Sequence, residues 1–83
     1  MIVYNTNTVK LFLEDYSLFG TRLNETRKSR GFTAQQIADV AGVNLQSYRK
    51  YESNNRQPSY EMLVKIAEKL EVTTDYLLGR SEV

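Results

Sequence analysis

Eighty-three residues with no cysteine and no histidine make one small domain, near the lower limit for a core that holds without disulfides or a structural metal. The missing histidine removes triad chemistry, histidine–metal ligation and the usual general base at neutral pH, and no paired carboxylates or Gly-rich phosphate loop take its place. The net charge of +1 hides a division: residues 17–59 carry seven bases against three acids, while residues 1–16 and 60–83 are each net acidic.

A basic middle between acidic flanks can turn one positive face towards a polyanion. An ordinary solvated surface with chance clustering explains the same numbers equally well. No apolar run approaches the roughly 18 residues that cross a bilayer, and no charged segment leads into an apolar signal core. The sequence is therefore read as that of a soluble, cytoplasmic, non-catalytic protein with no cofactor, no metal site and no membrane partner.

Residues 1–13, MIVYNTNTVKLFL, are rich in β-branched and aromatic side chains, which favours extended structure. A lone strand has three outlets: disorder, packing along the domain, or pairing with the same strand of a second copy. From Ser17 the pattern turns helical. Leu18, Phe19, Leu23 and Thr26 form a mostly apolar stripe, and KSRG ends it with bases in the last turn and Gly31 as a left-handed cap.

Thr33 then caps a second helix, with Gln36 at capping-box spacing. Ile37, Ala38 and Ala41 mark its inner face, and Gly42 separates it from a third helix capped by Asn44 and ending near Ser53. Asn54 is placed to close that helix in the left-handed conformation. NNRQPS is a turn, after which Ser59 caps a fourth helix. Leu63, Ile66, Ala67 and Leu70 stand there at i, i+3, i+4 and i+7, a stripe that faces a core. Thr73 caps a short fifth helix that buries Leu77 and Leu78 and stops at Gly79. The residues thus predict an all-α globule of five short helices, with residues 1–16 as an N-terminal arm, 17–79 as the domain and 80–83 as a tail.

The third helix divides cleanly on a wheel of 100° per residue. Tyr48, Tyr51 and Glu52 fall on one side, Gln46, Arg49, Lys50 and Ser53 on the other, with Leu45 at the border. Gln can bond adenine in a bidentate manner, Lys can bond guanine, and Leu45 can touch a thymine methyl. Taken singly, Gln46, Arg49 and Lys50 read as common surface residues. Tyr48 and Tyr51 read as core and anchor rather than as stacking platforms, and Glu52 as a structural partner. The combination says more than its parts: helix, tight Gly turn, helix, polar outer face, then a basic turn.

That combination carries a resemblance. FTAQQIADVAGVNLQSYRKYESNNRQPS resembles the helix-turn-helix of the phage Cro and cI repressors, the XRE family. FGTRLNETRKSRG resembles the family's first helix, and LVKIAEKLEVTTDYLLG its fourth and fifth, so the likeness runs from Ser17 to Gly79. It implies a five-helix lambda-repressor-like DNA-binding domain, preceded here by the extended arm.

By the same resemblance Asn44, Leu45, Gln46 and Lys50 match positions that face bases, and Arg49 joins them from the outer face of the helix. Thr33, Ser47 and Ser53 match positions near phosphates, with Arg56 in the turn that follows the backbone. Arg27 and Glu52 match an arginine and a glutamate that pair in family members and lock the third helix to the first.

Three departures from the family pattern stand out. Ala34 occupies a position where Gln is common, so the second-helix phosphate contact is either weakened or taken over by Gln35. Asn54 replaces a common Gly, a mild change because Asn tolerates the left-handed region. The arm lies outside the pattern, and no second domain is expected after Gly79.

The function implied is a sequence-specific double-stranded DNA-binding transcriptional regulator, a repressor by expectation, acting as a homodimer on an inverted repeat. Its rivals are an antitoxin or titrated regulator of the same fold, held by a protein partner, and a helical protein-interaction module that never touches DNA.

Overall fold

The computed structural model describes the backbone of residues 6–80 and the side chains of residues 18–80. Five helices follow one another: α1 (Thr6–Ser29), α2 (Ala34–Ala41), α3 (Leu45–Glu52), α4 (Tyr60–Leu70) and α5 (Thr74–Leu77). No strand occurs among the described residues.

Each short helix starts where a side chain can satisfy one of the orphan N–H groups of its first turn. Thr33 accepts from the Gln36 N–H while the Gln36 side chain accepts from the Thr33 N–H, a complete capping box. Asn44, Ser59 and Thr73 accept in the same way from Ser47, Met62 and Tyr76. The turn between α2 and α3 depends on Gly42 at φ 76°, a conformation costly for a residue with a Cβ. Its N–H closes α2 on Ala38 and Asp39, and α3 begins three residues later.

Burial follows the predicted stripes, with Leu18 of the α1 stripe only half-buried. Phe19, Leu23 and Thr26 of α1 are buried, as are Ile37, Ala38 and Ala41 of α2. Tyr48 and Tyr51 of α3 join them, with Leu63, Ile66, Ala67 and Leu70 of α4 and Leu77 of α5. Leu78 is only partly covered and packs against this cluster from the side. α2 packs on α3 and α4, α1 packs on α3 and α5, and α4 packs on α5. The two tyrosines meet edge to face, with ring centroids 6.2 Å apart, and the Tyr51 hydroxyl reaches the Met62 sulfur at 3.4 Å.

One expectation is corrected. Residues 6–16 are not extended but continue α1, which begins well before Ser17; residues 1–5 of the expected arm lie outside the described residues. Once a helix is nucleated, each added residue gains a hydrogen bond, whereas a strand needs a partner. With no strand to pair with, the β-leaning composition of this segment yields to its helical neighbour.

Candidate nucleic-acid interface

The two faces of α3 have opposite duties. Inside, Tyr48 and Tyr51 are almost wholly covered. Outside, Gln46, Arg49 and Lys50 are exposed, and neither of the two ion pairs found among the described residues involves them. Leu45 is half-buried at the border, in the first turn. Asn44 is exposed but its Oδ1 accepts from the Ser47 N–H at 2.7 Å. Its amide nitrogen takes no part in that bond.

The residues expected near phosphates are placed less uniformly. Thr33 and Arg56 are exposed, and the Thr33 hydroxyl accepts from the Gln36 N–H at 3.1 Å. Ser47 is half-buried. Ser53 donates to the Lys50 carbonyl and accepts from the Asn55 amide at 2.8 Å. Gln35 is exposed, with its amide on Asp39 one turn further along α2 at 2.8 Å. Ala34, by contrast, packs partly buried against the core.

What holds α3 in place is a node around Glu52. Arg27 Nε donates to its Oε2 at 2.7 Å and Arg27 Nη2 to Oε1 at 3.3 Å. The Asn24 amide donates to Oε1 at 2.7 Å, and the Tyr48 hydroxyl donates to Oε2 at 2.5 Å. The remaining guanidinium corner, Nη1 of Arg27, reaches the Phe32 carbonyl at 2.9 Å. Both charged side chains keep only 11% of their surface exposed. A carboxylate with this many donors, facing a paired cation, meets the conditions under which a buried charge is tolerated.

Just beyond, Asn54 at φ 64° turns its Oδ1 onto the Gly20 N–H at 2.9 Å. A Cβ built on Gly20 would stand 2.2 Å from the Glu52 carbonyl oxygen, so α1 and the end of α3 touch backbone to backbone. The Asn that departs from the family's Gly thus supplies a bond that Gly has no side chain to make.

Asn24, the Tyr48 hydroxyl, Gly20 and Asn54 were not picked out from the sequence as parts of this clamp. A signal was present: Gly20, Asn24 and Arg27 lie at i, i+4 and i+7, and Tyr48 lies one turn before Glu52.

The basic middle of the sequence also divides. Arg22 donates to the Tyr76 carbonyl at 2.9 Å and lies 4.7 Å over the Tyr76 ring. Arg30 donates to the Leu70 carbonyl at the end of α4, also at 2.9 Å. With Arg27, three of the seven bases hold the scaffold together. Lys28, Arg49, Lys50 and Arg56 are exposed and take no part in these bonds.

Burial alone would raise the Glu52 carboxyl pKa, but the hydrogen bonds from Arg27, Tyr48 and Asn24 outweigh it and hold the group below its ordinary 4.5. Burial, then the bond to Glu52, pushes the Tyr48 phenol far up, which keeps it a donor. A depressed carboxyl pKa contributes stability that is fully present above 4.5 and is lost as pH falls through the lowered folded value. Thermal midpoints followed by circular dichroism should therefore drop below that pH more steeply in the parent than in Glu52→Gln. Parallel slopes would mean that Glu52 is not the linked group.

A family profile described as a helix-turn-helix domain matches residues 20–82, and the chain belongs to that family. It is 49% identical over 59 residues to the cryptic phage CTXphi transcriptional repressor RstR of Vibrio cholerae serotype O1, a stretch covering 71% of this chain and 53% of that protein. It is 41% identical over 61 residues to the SPbeta prophage-derived uncharacterized HTH-type transcriptional regulator YonR of Bacillus subtilis, covering 74% and 56%. The HTH-type transcriptional regulator ImmR of the same organism is 36% identical over 64 residues, covering 77% and 50%. The chain thus spans about half the length of these curated relatives. No solved structure matches it significantly. Among the described residues no helix is long and apolar enough to cross a membrane.

Proposed function

We propose that this chain is a sequence-specific double-stranded DNA-binding transcriptional regulator, a repressor, that reads the major groove with α3. The observation that carries the reading is the split of α3: an exposed row of Gln46, Arg49 and Lys50 backed by a face clamped through Tyr48 and Glu52. A reader helix needs both, because base contacts discriminate only when the donors are held in register. Relatives whose names call them a transcriptional repressor or regulator support the same class.

In this reading Asn44, Leu45, Gln46, Arg49 and Lys50 face base edges. Thr33, Gln35, Ser47, Ser53 and Arg56 lie along the phosphates and provide salt-dependent affinity. One module this small covers few base pairs, so two copies act on an inverted repeat with half-sites about one helical turn apart.

The test is fluorescence anisotropy with DNA from the protein's own upstream region, a scrambled duplex as control, and salt at about 50 and 200 mM. Gln46→Ala combined with Lys50→Ala should weaken binding to the native duplex by at least about tenfold and leave the weak binding to the scrambled duplex nearly unchanged. Equal, salt-labile binding to both duplexes would reduce the face to a non-specific basic surface.

A second reading keeps the fold but gives it a protein partner, as in an antitoxin or a titrated regulator. Tyr60, 91% exposed, and Val64 one turn along α4 favour it. It takes over if neither duplex binds at either salt concentration.

A further inference from the structure

We propose that the hollow between the end of α1 and the link from α4 to α5 binds a free amino acid with an apolar side chain. The hollow has a volume of about 590 Å³, within the range of small-molecule sites. The end of α1 lends it Ser29 and Arg30, the link lends it Glu71, Val72 and Thr73, and α5 lends it Tyr76. No residue of α2 or α3 lines it. It is therefore separate from the face proposed to read DNA, and the proposal does not rest on that reading.

The charges of the hollow name its ligand. Arg30 and Glu71 line it with opposite signs, yet no ion pair joins them. Among the described residues the ion pairs are Arg27–Glu52 and Lys65–Glu61. Arg30 and Glu71 are both exposed, and both are anchored. Arg30 donates through Nε to the Leu70 carbonyl at 2.9 Å, a bond in which its two Nη groups take no part. Glu71 stands at φ 59°, and its N–H closes α4 on the Glu68 carbonyl at 3.2 Å. Glycine and asparagine enter that left-handed region more readily than glutamate does. A conformation kept at a cost, beneath a charged side chain, marks that charge as one the molecule uses.

A carboxylate fits the guanidinium fork of Arg30, and an ammonium fits the carboxylate of Glu71. A zwitterion satisfies both walls at once, whereas a simple anion would be repelled by Glu71 and a simple cation by Arg30. The remaining wall is apolar. Val72 and Tyr76 are partly buried and pack against the core. Arg22 holds the Tyr76 ring, with its guanidinium carbon 4.7 Å from the ring centroid, so this wall is fixed before any ligand arrives. An aliphatic or aromatic side chain loses water against Val72 and Tyr76, and that burial favours binding.

The test titrates the isotope-labelled full chain, without DNA, with L-leucine, L-phenylalanine and L-tryptophan, and follows the amide shifts by NMR. At least one should bind saturably, with a Kd of about a millimolar or tighter. It should move the amides of Arg30, Glu71 and Val72 and leave those of α3 in place. The N-acetyl and methyl-ester forms, each lacking one of the two charges, should bind at least about tenfold more weakly. Glu71→Gln should weaken the amino acid by a similar factor and keep the parent's thermal midpoint. The proposal is overturned by no saturable shift with any of the three up to about 20 mM, by shifts confined to other surfaces, or by a Glu71→Gln variant that binds as the parent does.

Discussion

Glu52→Ala is expected to lower the thermal midpoint by roughly 12 °C or more. The substitution removes the acceptor for three groups at once: the Arg27 guanidinium, the Asn24 amide and the Tyr48 hydroxyl. Arg27, 11% exposed, would keep only its bond to the Phe32 carbonyl. Stripping one partner from a buried pair costs about 3–5 kcal/mol, because the other charge stays buried. The surviving bond to Phe32 puts the expected loss near the lower end of that range.

In a domain of this size each kcal/mol moves the midpoint by about 4–8 °C. Replacing both partners by apolar residues, Arg27→Met with Glu52→Leu, should recover much of the loss, because no charge is then stranded. A thermal melt of Glu52→Ala within about two degrees of the parent would show that the node does not hold the fold.

Gly20→Ala should also destabilise, against the rule for its position. Within a helix, Gly→Ala normally stabilises by about 1 kcal/mol. Here the new methyl would meet the Glu52 carbonyl oxygen at 2.2 Å, its carbon at 2.7 Å and the Asn54 side chain at 2.9 Å. Two of those three atoms are backbone and have no rotamer to escape into, so α1 and the end of α3 must move apart. Overpacking of this kind costs about 1–3 kcal/mol, and against backbone the upper end applies, leaving a net loss of about 2 kcal/mol after the helix-propensity gain.

The displacement would also strain the Asn54–Gly20 bond and the Glu52 node beside it. Affinity for DNA should therefore fall together with the melting temperature, although Gly20 is remote from the outer face of α3. A Gly20→Ala variant that melts above the parent would mean that α1 and α3 are not in backbone contact.

The two substitutions share a lesson about what the chain declares locally. Thr33 with Gln36, Asn44 with Ser47, Ser59 with Met62 and Thr73 with Tyr76 each close a bond over three residues. Composition and spacing suffice to find such caps. The inner and outer faces of α3 follow from 100° per residue, and so do the stripes of α2 and α4. The pairing of Arg27 with Glu52 was an expectation from family resemblance and not from periodicity; the contact itself, at 2.7 Å, is in the structure.

The arm misled for a related reason. β-branched and aromatic residues favour a strand only if a partner strand exists. The same residues, Val9, Phe12 and Tyr16, also keep the heptad of the helix that follows.

The sequence alone thus determined the number and order of the helices in the domain, their caps, the turn at Gly42 and the face that each helix buries. These depend on bonds and contacts within about four residues along the chain. Tertiary structure decided how the bases divide, with Arg22, Arg27 and Arg30 spent on Tyr76, Glu52 and Leu70, and Lys28, Arg49, Lys50 and Arg56 left exposed. It also decided that Gly20 must stay small and that Asn54 must reach it. Those partners stand 25 to 54 residues apart in sequence, so only the packed arrangement of helices brings them together.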